Sequence, residues 1–469
     1  MTRREWLAGA AGGPAILRAG APVSRIAGIE HKGVLIRDCP LPGETRRDDC
    51  VPAHPNGIPV SRDKWLIVYA TRKFRGVDDD ASIVYQLRGG APDGKLIREG
   101  MISQSVDNWD AFGDGKETFI RQHGHPVAFG VPKGALIQGK PAPNANVFVV
   151  KWRVVAKVLD RKNNALVRNP HDREVGERTQ AVEWMQCRLN RAEDDIEILQ
   201  PRAVLRQKGY ESGKIFCSLP DSGKMNQTFV QAVPFGKDCA EWADSCHFEG
   251  GKIAVLKYRF NAKLGRYEWV ETGPSLFSIP ASEASLVRYD DRWLIAGRTN
   301  IKAIAWVVTE DPFRNTGKTI LPPSPAASSP LCAYRGPDSV LRVFTGDATV
   351  SPHHKDRNPM YCWQLDPDDN FRVLDRRVIY DTVAAGLPIR PGASPKVDMC
   401  KLLPHSGATQ YIVHRVSIRA FNHPYVGNDG AVLKDIPIAN QQEKDACAIY
   451  YAKVTYKEPY PSPWEFARG

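Results

Sequence analysis

The sequence predicts an all-β protein with the architecture of a six-bladed β-propeller, and three observations lead to this prediction. Long helical periodicity is scarce in the 469-residue chain. Apolar strands alternate with turns rich in Gly, Asp and Asn, and the second strand of a pair ends in a polar or basic residue. About six such units recur at irregular spacings of roughly 40–80 residues, which is typical of a propeller.

The first 21 residues are predicted to be a targeting segment outside the fold. Arg3 and Arg4, the weakly apolar run Trp6–Leu17 and the small residues Ala19–Ala21 resemble a twin-arginine export signal with its cleavage site. The apolar run is too short and too glycine-rich to remain as a stable membrane anchor. The alternative interpretation is the basic first turn of an ordinary helix. We expect one propeller domain over residues 22–469, located in the periplasm or outside the cell.

The clearest copy of the repeat lies in the second half of the chain. Ser285–Tyr289 and Arg292–Thr299 flank a turn at Asp290 and Asp291, and Ala303–Thr309 follows as a third strand. The other five units begin near Gly57, Pro126, Thr228, Pro330 and Val397.

The two ends of the domain are predicted to meet in one sheet. The apolar segment Gly33–Arg37 could pair with the last strand, Cys447–Tyr456, and this pairing would remove the free sheet edges. A propeller buries each sheet between its neighbours, so one core can serve the whole domain. A β-sandwich followed by a second β domain is the alternative architecture.

The charge pattern narrows the classes of partner. The net charge is +11, from 64 Lys and Arg residues against 53 Asp and Glu residues. The charges are interspersed, whereas a nucleic-acid binder commonly has a basic stripe interleaved with aromatic residues. A scattered positive excess fits attraction to anionic glycans. No Walker A loop or dinucleotide-binding glycine motif stands between a strand and a helix, which argues against a nucleotide enzyme.

The ten cysteines are too few for a disulfide framework in a chain of this length, and no CxxC pair of a zinc ribbon occurs. Cys239 and Cys246 could close a hairpin loop by a disulfide after export. Together with His247 they could instead be metal ligands, although a fourth ligand is not apparent. No cofactor or metal is predicted, and a structural calcium ion in the acidic turn Asp366–Asp369 has no further support.

Unusual polar residues stand next to the strands that would line the propeller axis. The innermost strands converge there, so these side chains predict a cationic, histidine-bearing pocket. Such a pocket suits a carboxylated sugar, because the guanidinium fork of arginine matches a carboxylate. Each residue taken singly is also compatible with a solvated loop. The residues are His54, Asn56, His123, His125, Asn226, Gln227, Glu283, Arg357, Lys396, Asp398 and Arg415.

The chain resembles the sialidases and their BNR-repeat relatives, which are six-bladed propellers that act on acidic sugars. Gly57-Ile-Pro followed by the apolar strand Trp65–Arg72 is similar to the opening strands of that family. Glu283, the turn at Asp290-Asp291 and Arg298 resemble the segment that holds the catalytic glutamate and a carboxylate-binding arginine.

Two further positions follow from the same resemblance. Asp78, Asp79 and Asp80 stand where the family carries its aspartate acid/base, and Arg357 is placed like the last arginine of the carboxylate-binding triad. The turns after the third strands retain only remnants of the Ser-x-Asp-x-Gly-x-Thr-Trp box.

The chain departs from the family at two catalytic positions. Gly57 replaces the first arginine of the triad, and Lys396 stands near the expected nucleophilic tyrosine. The family's retaining mechanism needs that tyrosine, which a glutamate activates to attack the anomeric carbon. The resemblance therefore implies the fold more strongly than it implies cleavage of sialic acid.

Three functions remain open, and an acidic oligo- or polysaccharide is the expected partner in each. The first is an exported glycoside hydrolase with one of Asp78–Asp80 as acid and Glu283 as base, since an inverting hydrolase needs no tyrosine. The second is a polysaccharide lyase in which His123 or His125 abstracts the proton next to a uronic-acid carboxylate. The third is a non-catalytic glycan-binding propeller. The predicted substrate-binding cations are Arg72, Arg298, Arg357, Lys396 and Arg415.

Overall fold

The fold is known from a computed structural model, which describes most of the chain after residue 23. The described residues are 24–37, 50–73, 81–104, 106–109, 119–160, 165–167, 180–205, 218–219, 223–227, 231–236, 239–248, 252–314, 317–351, 356–387, 395–404, 408–418, 441–460 and 464–467. The predicted export signal at residues 1–21 lies outside them, so export and location stay predictions.

Strand β1 (Ile26–Ile36) precedes the first complete blade and belongs to the last one. Blade 1 contains β2 (Cys50–Ser61), β3 (Lys64–Lys73), β4 (Ala81–Gly89) and β5 (Lys95–Ser103) in chain order. Blade 2 contains β6 (Val106–Trp109), β7 (Phe119–Val131), β10 (Val147–Asp160), β12 (Gln180–Leu189) and β13 (Ile196–Val204), and β11 (Ala165–Val167) pairs with β10. A small separate sheet joins β8 (Ala135–Ile137) to β9 (Lys140–Pro141) and to the last strand, β31 (Glu465–Phe466).

The next three blades repeat the antiparallel arrangement. Blade 3 contains β14 (Ser218–Leu219), β15 (Gly223–Gln227), β17 (Glu241–Phe248), β18 (Lys252–Asn261) and β19 (Arg266–Thr272), and β16 (Val233–Phe235) pairs with β17. Blade 4 contains β20 (Ser282–Tyr289), β21 (Arg292–Arg298), β22 (Ile304–Thr309) and β23 (Lys318–Ile320). Blade 5 contains β24 (Cys332–Arg335), β25 (Leu341–Thr345), β26 (Met360–Asp366) and β27 (Arg372–Tyr380).

Blade 6 closes the ring with strands from both ends of the domain. It contains β28 (Pro395–Pro404), β29 (Thr409–Ile418) and β30 (Ala448–Tyr456), with the short helix α1 (Gln441–Ala446) before β30. Strand β1 completes the sheet by antiparallel pairing with β30, in which Val34 lies opposite Tyr450. This confirms the pairing of the first and last strands that the sequence predicts.

The core lies in six clusters, one at each joint between successive blades. Along β3, Leu66 packs at the joint of blades 1 and 2, whereas Ile67 packs at the joint of blades 6 and 1. Successive strand residues point to opposite faces, so a blade buried on both faces needs an uninterrupted apolar run. The sixth joint lies between blades 6 and 1, so the blades of the described residues form one closed ring.

The third repeat unit differs from its prediction in one strand. The sequence predicts the first strand of this unit near Thr228 and the second at Ile253, but in the structure β17 lies between β15 and β18. Strand β17 was missed because it carries polar residues in its middle. Asp244 is fully buried there and pairs with Lys151 of blade 2. The described residues include no helix long and apolar enough to cross a membrane.

Candidate functional site

Four of the inner strands contain an irregularity near the same end of the propeller. Ladder registers shift at each of these positions, and a residue other than glycine has a positive φ there. Such bulges re-aim side chains and are frequent next to functional sites. The residues are His54 (φ 52°) in β2, His125 (51°) in β7, Glu283 (49°) in β20 and Met399 (54°) in β28.

The neighbouring second strands carry a basic residue or histidine at the same level. We call these five positions the basic rim. The register pairs place Arg72 opposite Val51, Arg153 opposite Gly124, His247 opposite Gln227, Arg298 opposite Ser282, and Arg415 opposite Asp398. The rim and the bulge residues together form the candidate site, which we call the axial site. The side chain of Arg72 lies outside the described part.

Asp398 binds two of the predicted substrate-binding arginines. Arg415 donates to its two carboxylate oxygens at 2.8 and 2.9 Å, and Arg357 donates at 2.5 Å. All three side chains are buried. An internal carboxylate thus occupies the guanidinium groups that the sequence assigned to a ligand carboxylate, and the cluster keeps one surplus positive charge. Lys396 is buried two residues earlier on the same strand.

The two histidines of the predicted pocket, His123 and His125, lie in two different places. His125 stacks on His54, with ring centroids 3.8 Å apart and planes 24° apart. Arg415 Nη1 lies 3.1 Å from Nε2 of His54, which connects this stack to the Asp398 cluster. His123 instead lies 3.4 Å from the hydroxyl of Ser103 at the outer side of blade 1. The structure therefore brings His125 into the axial site and keeps His123 away from it.

Glu283 and Arg298 form an ion pair, as their neighbouring positions on β20 and β21 allow. Both side chains are almost buried, with 9% and 12% of their surface exposed. The buried ammonium group of Lys401 lies close enough to act on Glu283 electrostatically. These cations hold Glu283 in place.

His247 belongs to the site although the sequence reading assigned it only a weak metal-binding role. Burial, and then the positive charges of Arg153 and Arg298, lower its pKa to about 4. The imidazole is therefore neutral at pH 7 and lies in a positive field. A basic or histidine side chain recurs at the same level of the second strands, and this recurrence is the signal that could have identified both His247 and Arg153.

The two interpretations offered for Cys239 and Cys246 are both wrong. No disulfide joins the two cysteines, and most of β17 separates Cys246 from Cys239, which precedes that strand. Among the described side chains, no group of three or more His, Cys, Asp or Glu residues is arranged to hold a metal ion. Asp78, Asp79 and Asp80 lie outside the described residues, so their role as acid stays a prediction.

Comparison with solved structures places this geometry among known folds. A protein of unknown function from Dyadobacter fermentans aligns with a TM-score of 0.51, at 9% identity, over 92% of this chain and 100% of that one. The intramolecular trans-sialidase from Ruminococcus gnavus aligns with a TM-score of 0.51, at 8% identity, over 88% of this chain and 96% of that one. A variant of the NanB sialidase from Streptococcus pneumoniae aligns with a TM-score of 0.50, at 9% identity, over 86% and 68%.

No family model and no curated protein matches the sequence itself. Identities this low establish a shared fold and leave activity open. The structural matches support a sialidase-like fold, and the joints between blades and the pairing of β1 with β30 are those of a propeller. The chain therefore has the six-bladed β-propeller fold of the sialidases.

Proposed function

We propose that this protein is an exported, sialidase-like carbohydrate-active protein that binds a carboxylated sugar at the axial site and hydrolyses its glycosidic bond. The observation that carries the proposal is the environment of His247, whose pKa is lowered by burial and by the charges of Arg153 and Arg298. Burial, the larger cause, disfavours a charge of either sign, whereas the positive charges of Arg153 and Arg298 disfavour an added proton and favour an added carboxylate. Arginines at such a position can bind a carboxylate through two hydrogen bonds.

The chemistry proposed for this site does not use a tyrosine. Glu283 is the base that activates water, and one of Asp78–Asp80 is the acid that protonates the leaving oxygen. Lys396 stands near the position expected for the nucleophilic tyrosine, and Arg357 and Arg415 bind the nearby carboxylate of Asp398. Two carboxylates with water between them invert the anomeric configuration. We therefore expect an inverted product, which NMR of the first-formed sugar would identify.

A second candidate, a polysaccharide lyase, is favoured by the stack of His54 and His125. A neutral imidazole can take the proton next to a uronic-acid carboxylate. His54 lies against Arg415, and His125 lies against His54. In this reaction His125 is the base, and the rim arginines stabilise the enolate-like intermediate.

One assay separates these proposals. The chain from residue 22 is incubated with sialylated and uronic-acid glycans while reducing ends and the ultraviolet absorbance of unsaturated sugars are followed. New reducing ends without absorbance, lost in Glu283→Gln and kept in His125→Asn, support hydrolysis. A gain in absorbance that His125→Asn abolishes supports elimination. Binding without either signal would leave a glycan-binding propeller and contradict both enzymatic proposals.

Substitution of Arg298 tests the binding step separately from the chemistry. Arg298→Ala should weaken binding of an acidic glycan by about 1.5–3 kcal/mol, because it removes a charge-assisted hydrogen bond to the carboxylate. Calorimetric titration measures this change. Arg188→Ala is the matched control, since Arg188 pairs with Glu197 on the exposed outer part of blade 2. Equal affinities of Arg298→Ala and the unchanged protein would remove Arg298 from the binding site.

A further inference from the structure

Exposed aliphatic side chains gather at one end of blades 4 and 5. Leu321 follows β23, Val350 follows β25, Val378 lies near the end of β27, and Val383 follows that strand. They expose 45%, 52%, 54% and 69% of their surface, respectively. A single exposed aliphatic residue is ordinary, whereas several at one place indicate a binding surface.

Hydrogen bonds join the segments that carry these side chains. The backbone nitrogen of Ala348 donates to the backbone oxygen of Ala326 at 2.7 Å. The hydroxyl of Ser351 donates to the backbone oxygen of Asn358 at 2.6 Å, and the side-chain oxygen of Asn358 accepts from the backbone nitrogen of Thr382 at 3.1 Å. The segments therefore form one surface. We call it the apolar patch, and it consists of residues 321–331, 348–351 and 382–387 together with Val378.

The apolar patch is uncharged. Its three segments contain no Asp, Glu, Lys, Arg or His, although charged residues make up 25% of the chain. Asp347, directly before the second segment, is buried and pairs with Arg376. A charged group placed on such a surface would lose water without gaining a partner, whereas an apolar group would not. The patch therefore favours an uncharged, apolar ligand group.

The apolar patch borders the axial site through the loop between β25 and β26. This loop carries Val350 in the patch and Arg357, which binds Asp398 in the inner strand of blade 6. Asp356, the residue before Arg357, accepts hydrogen bonds from the hydroxyl and the backbone nitrogen of Ser328 in the patch, at 2.6 and 3.2 Å. A cationic site and an uncharged apolar surface are thus neighbours on one face of the propeller. A ligand that fits both is an amphiphile with an anionic head.

We propose that the apolar patch binds the aliphatic aglycone of an acidic glycolipid, whose carboxylated sugar lies in the axial site. This inference rests on the function proposed above and names its substrate class. Contact with the patch removes apolar surface of both the alkyl chain and the exposed side chains from water. Affinity should therefore increase with the number of methylene groups that the patch covers.

Calorimetric titration with alkyl glycosides below their critical micelle concentrations tests the proposal. The probes are the methyl and octyl glycosides of N-acetylneuraminic acid and of glucuronic acid, and octyl glucoside is the neutral probe. For the acid that the axial site accepts, we expect the octyl glycoside to bind about tenfold or more tightly than the methyl glycoside. Octyl glucoside should bind more weakly than that acidic octyl glycoside, because it lacks the carboxylate.

A double variant locates the alkyl chain. Val350→Ser combined with Val383→Ser should remove the preference for the octyl glycoside and keep the affinity for the methyl glycoside. Leu96→Ser combined with Leu264→Ser is the matched control, since both leucines are exposed and lie at the opposite end of the blades. This control should keep the preference for the octyl glycoside. All four positions are on the surface, so the unfolding midpoints should stay close to that of the unchanged protein.

The outcomes separate this inference from the function on which it rests. Equal affinities of methyl and octyl glycosides overturn the inference and leave the acidic-sugar site in place. A preference for octyl that survives in Val350→Ser/Val383→Ser also overturns it. Octyl glucoside that binds as tightly as the acidic octyl glycosides, with loss in the same double variant, supports the alkyl site and contradicts the acidic-sugar proposal. A dimer that this double variant converts into a monomer would make a second copy the occupant and overturn the inference. Absence of binding by every probe overturns both.

Discussion

At the scale of single residues, the role of a charged side chain in the axial site depends on the partner with which the fold pairs it. Arg357 and Arg415 come from different blades and meet on Asp398, which is buried in the inner strand of blade 6. Their sequence positions suggested ligand binding, and the structure assigns them to an internal carboxylate. The same cluster touches His54 through Arg415, so it also positions the histidine stack.

Asp398→Asn should lower the free energy of unfolding by about 3–5 kcal/mol, because it leaves two buried guanidinium groups without their anion. Chemical denaturation measures the loss. Glu197→Gln is the matched control, since Glu197 forms an exposed ion pair with Arg188 and such pairs contribute little to stability. Similar small losses in both variants would contradict the role assigned to Asp398.

The lowered pKa of His414 leads to a prediction of how the stability of the whole protein depends on pH. It is fully buried among Tyr380, Tyr450 and His31, and burial, followed by the charge of His31, lowers its pKa to about 3. The unfolded chain therefore binds a proton at higher pH than the folded chain does. Stability from this site is complete above the unfolded value of about 6.5 and falls as the pH decreases toward 3.

The variant His414→Phe keeps the aromatic packing and removes the titration. Its midpoint of thermal unfolding should change less between pH 7 and 4.5 than that of the unchanged protein, as calorimetry would show. The parallel variant Tyr380→Phe leaves the histidine in place, so its unfolding midpoint should change with pH as much as that of the unchanged protein. If the midpoint of His414→Phe also changes with pH as much as that of the unchanged protein, groups other than His414 cause the acid sensitivity.

At the scale of strands, the sequence predicts most of the ladder but not the bulges. The unit around Ser285 is confirmed as β20, β21 and β22, because its apolar runs and its Asp290 turn are local signals. The strand β17 was missed because burial of Asp244 depends on Lys151 in another blade. The bulges depend on packing between blades as well. Two of the bulges share one sequence feature, the dipeptide His-Pro, which occurs at His54 and His125.

Gly57 shows why one position departs from the sialidase pattern. A side chain there would place its Cβ 2.8 Å from Cδ1 of Ile67 and 3.2 Å from Cδ2 of Leu403, at the joint of blades 6 and 1. The backbone oxygen of Leu66 would lie 3.1 Å away. Strand β2 therefore approaches its neighbours too closely for the arginine that the family carries.

Gly57→Ala should destabilise the protein by about 1–3 kcal/mol, because the added carbon overpacks a closed joint. Denaturant titration measures the change in the free energy of unfolding. Gly28→Ala is the control in another strand, since a Cβ at Gly28 meets no atom within 4 Å. If Gly57→Ala were as stable as Gly28→Ala, the joint would relax around the added carbon. Steric exclusion would then no longer explain why Gly57 replaces the arginine of the sialidase pattern.

At the scale of the whole molecule, stability depends on closing the ring. Strand β1 pairs with β30 and buries Ile26, Leu35 and Ile36, so it completes the joints on both sides of blade 6. The residues just before it attach to blade 5. The backbone nitrogen of Arg25 donates to Asp338, and Arg342 donates to the hydroxyl of Ser24.

Closure through β1 makes a prediction about truncated chains. A chain of residues 22–469 should unfold cooperatively at the midpoint of the full sequence, because it keeps every described strand. A chain of residues 38–469 exposes the edge of β30 and opens two joints, so we expect a lower midpoint and association into larger species. Calorimetry and size-exclusion chromatography measure these two changes.

Complementation separates loss of closure from a general failure to fold. A synthetic peptide of residues 24–37 should bind the 38–469 chain and raise its unfolding midpoint, because the peptide can occupy the vacant edge of β30 by strand addition. A peptide of the same composition in scrambled order should have no effect, since it lacks the register that sets Val34 opposite Tyr450. A monomeric 38–469 chain with an unchanged midpoint, with or without peptide, would show that the ring closes without β1.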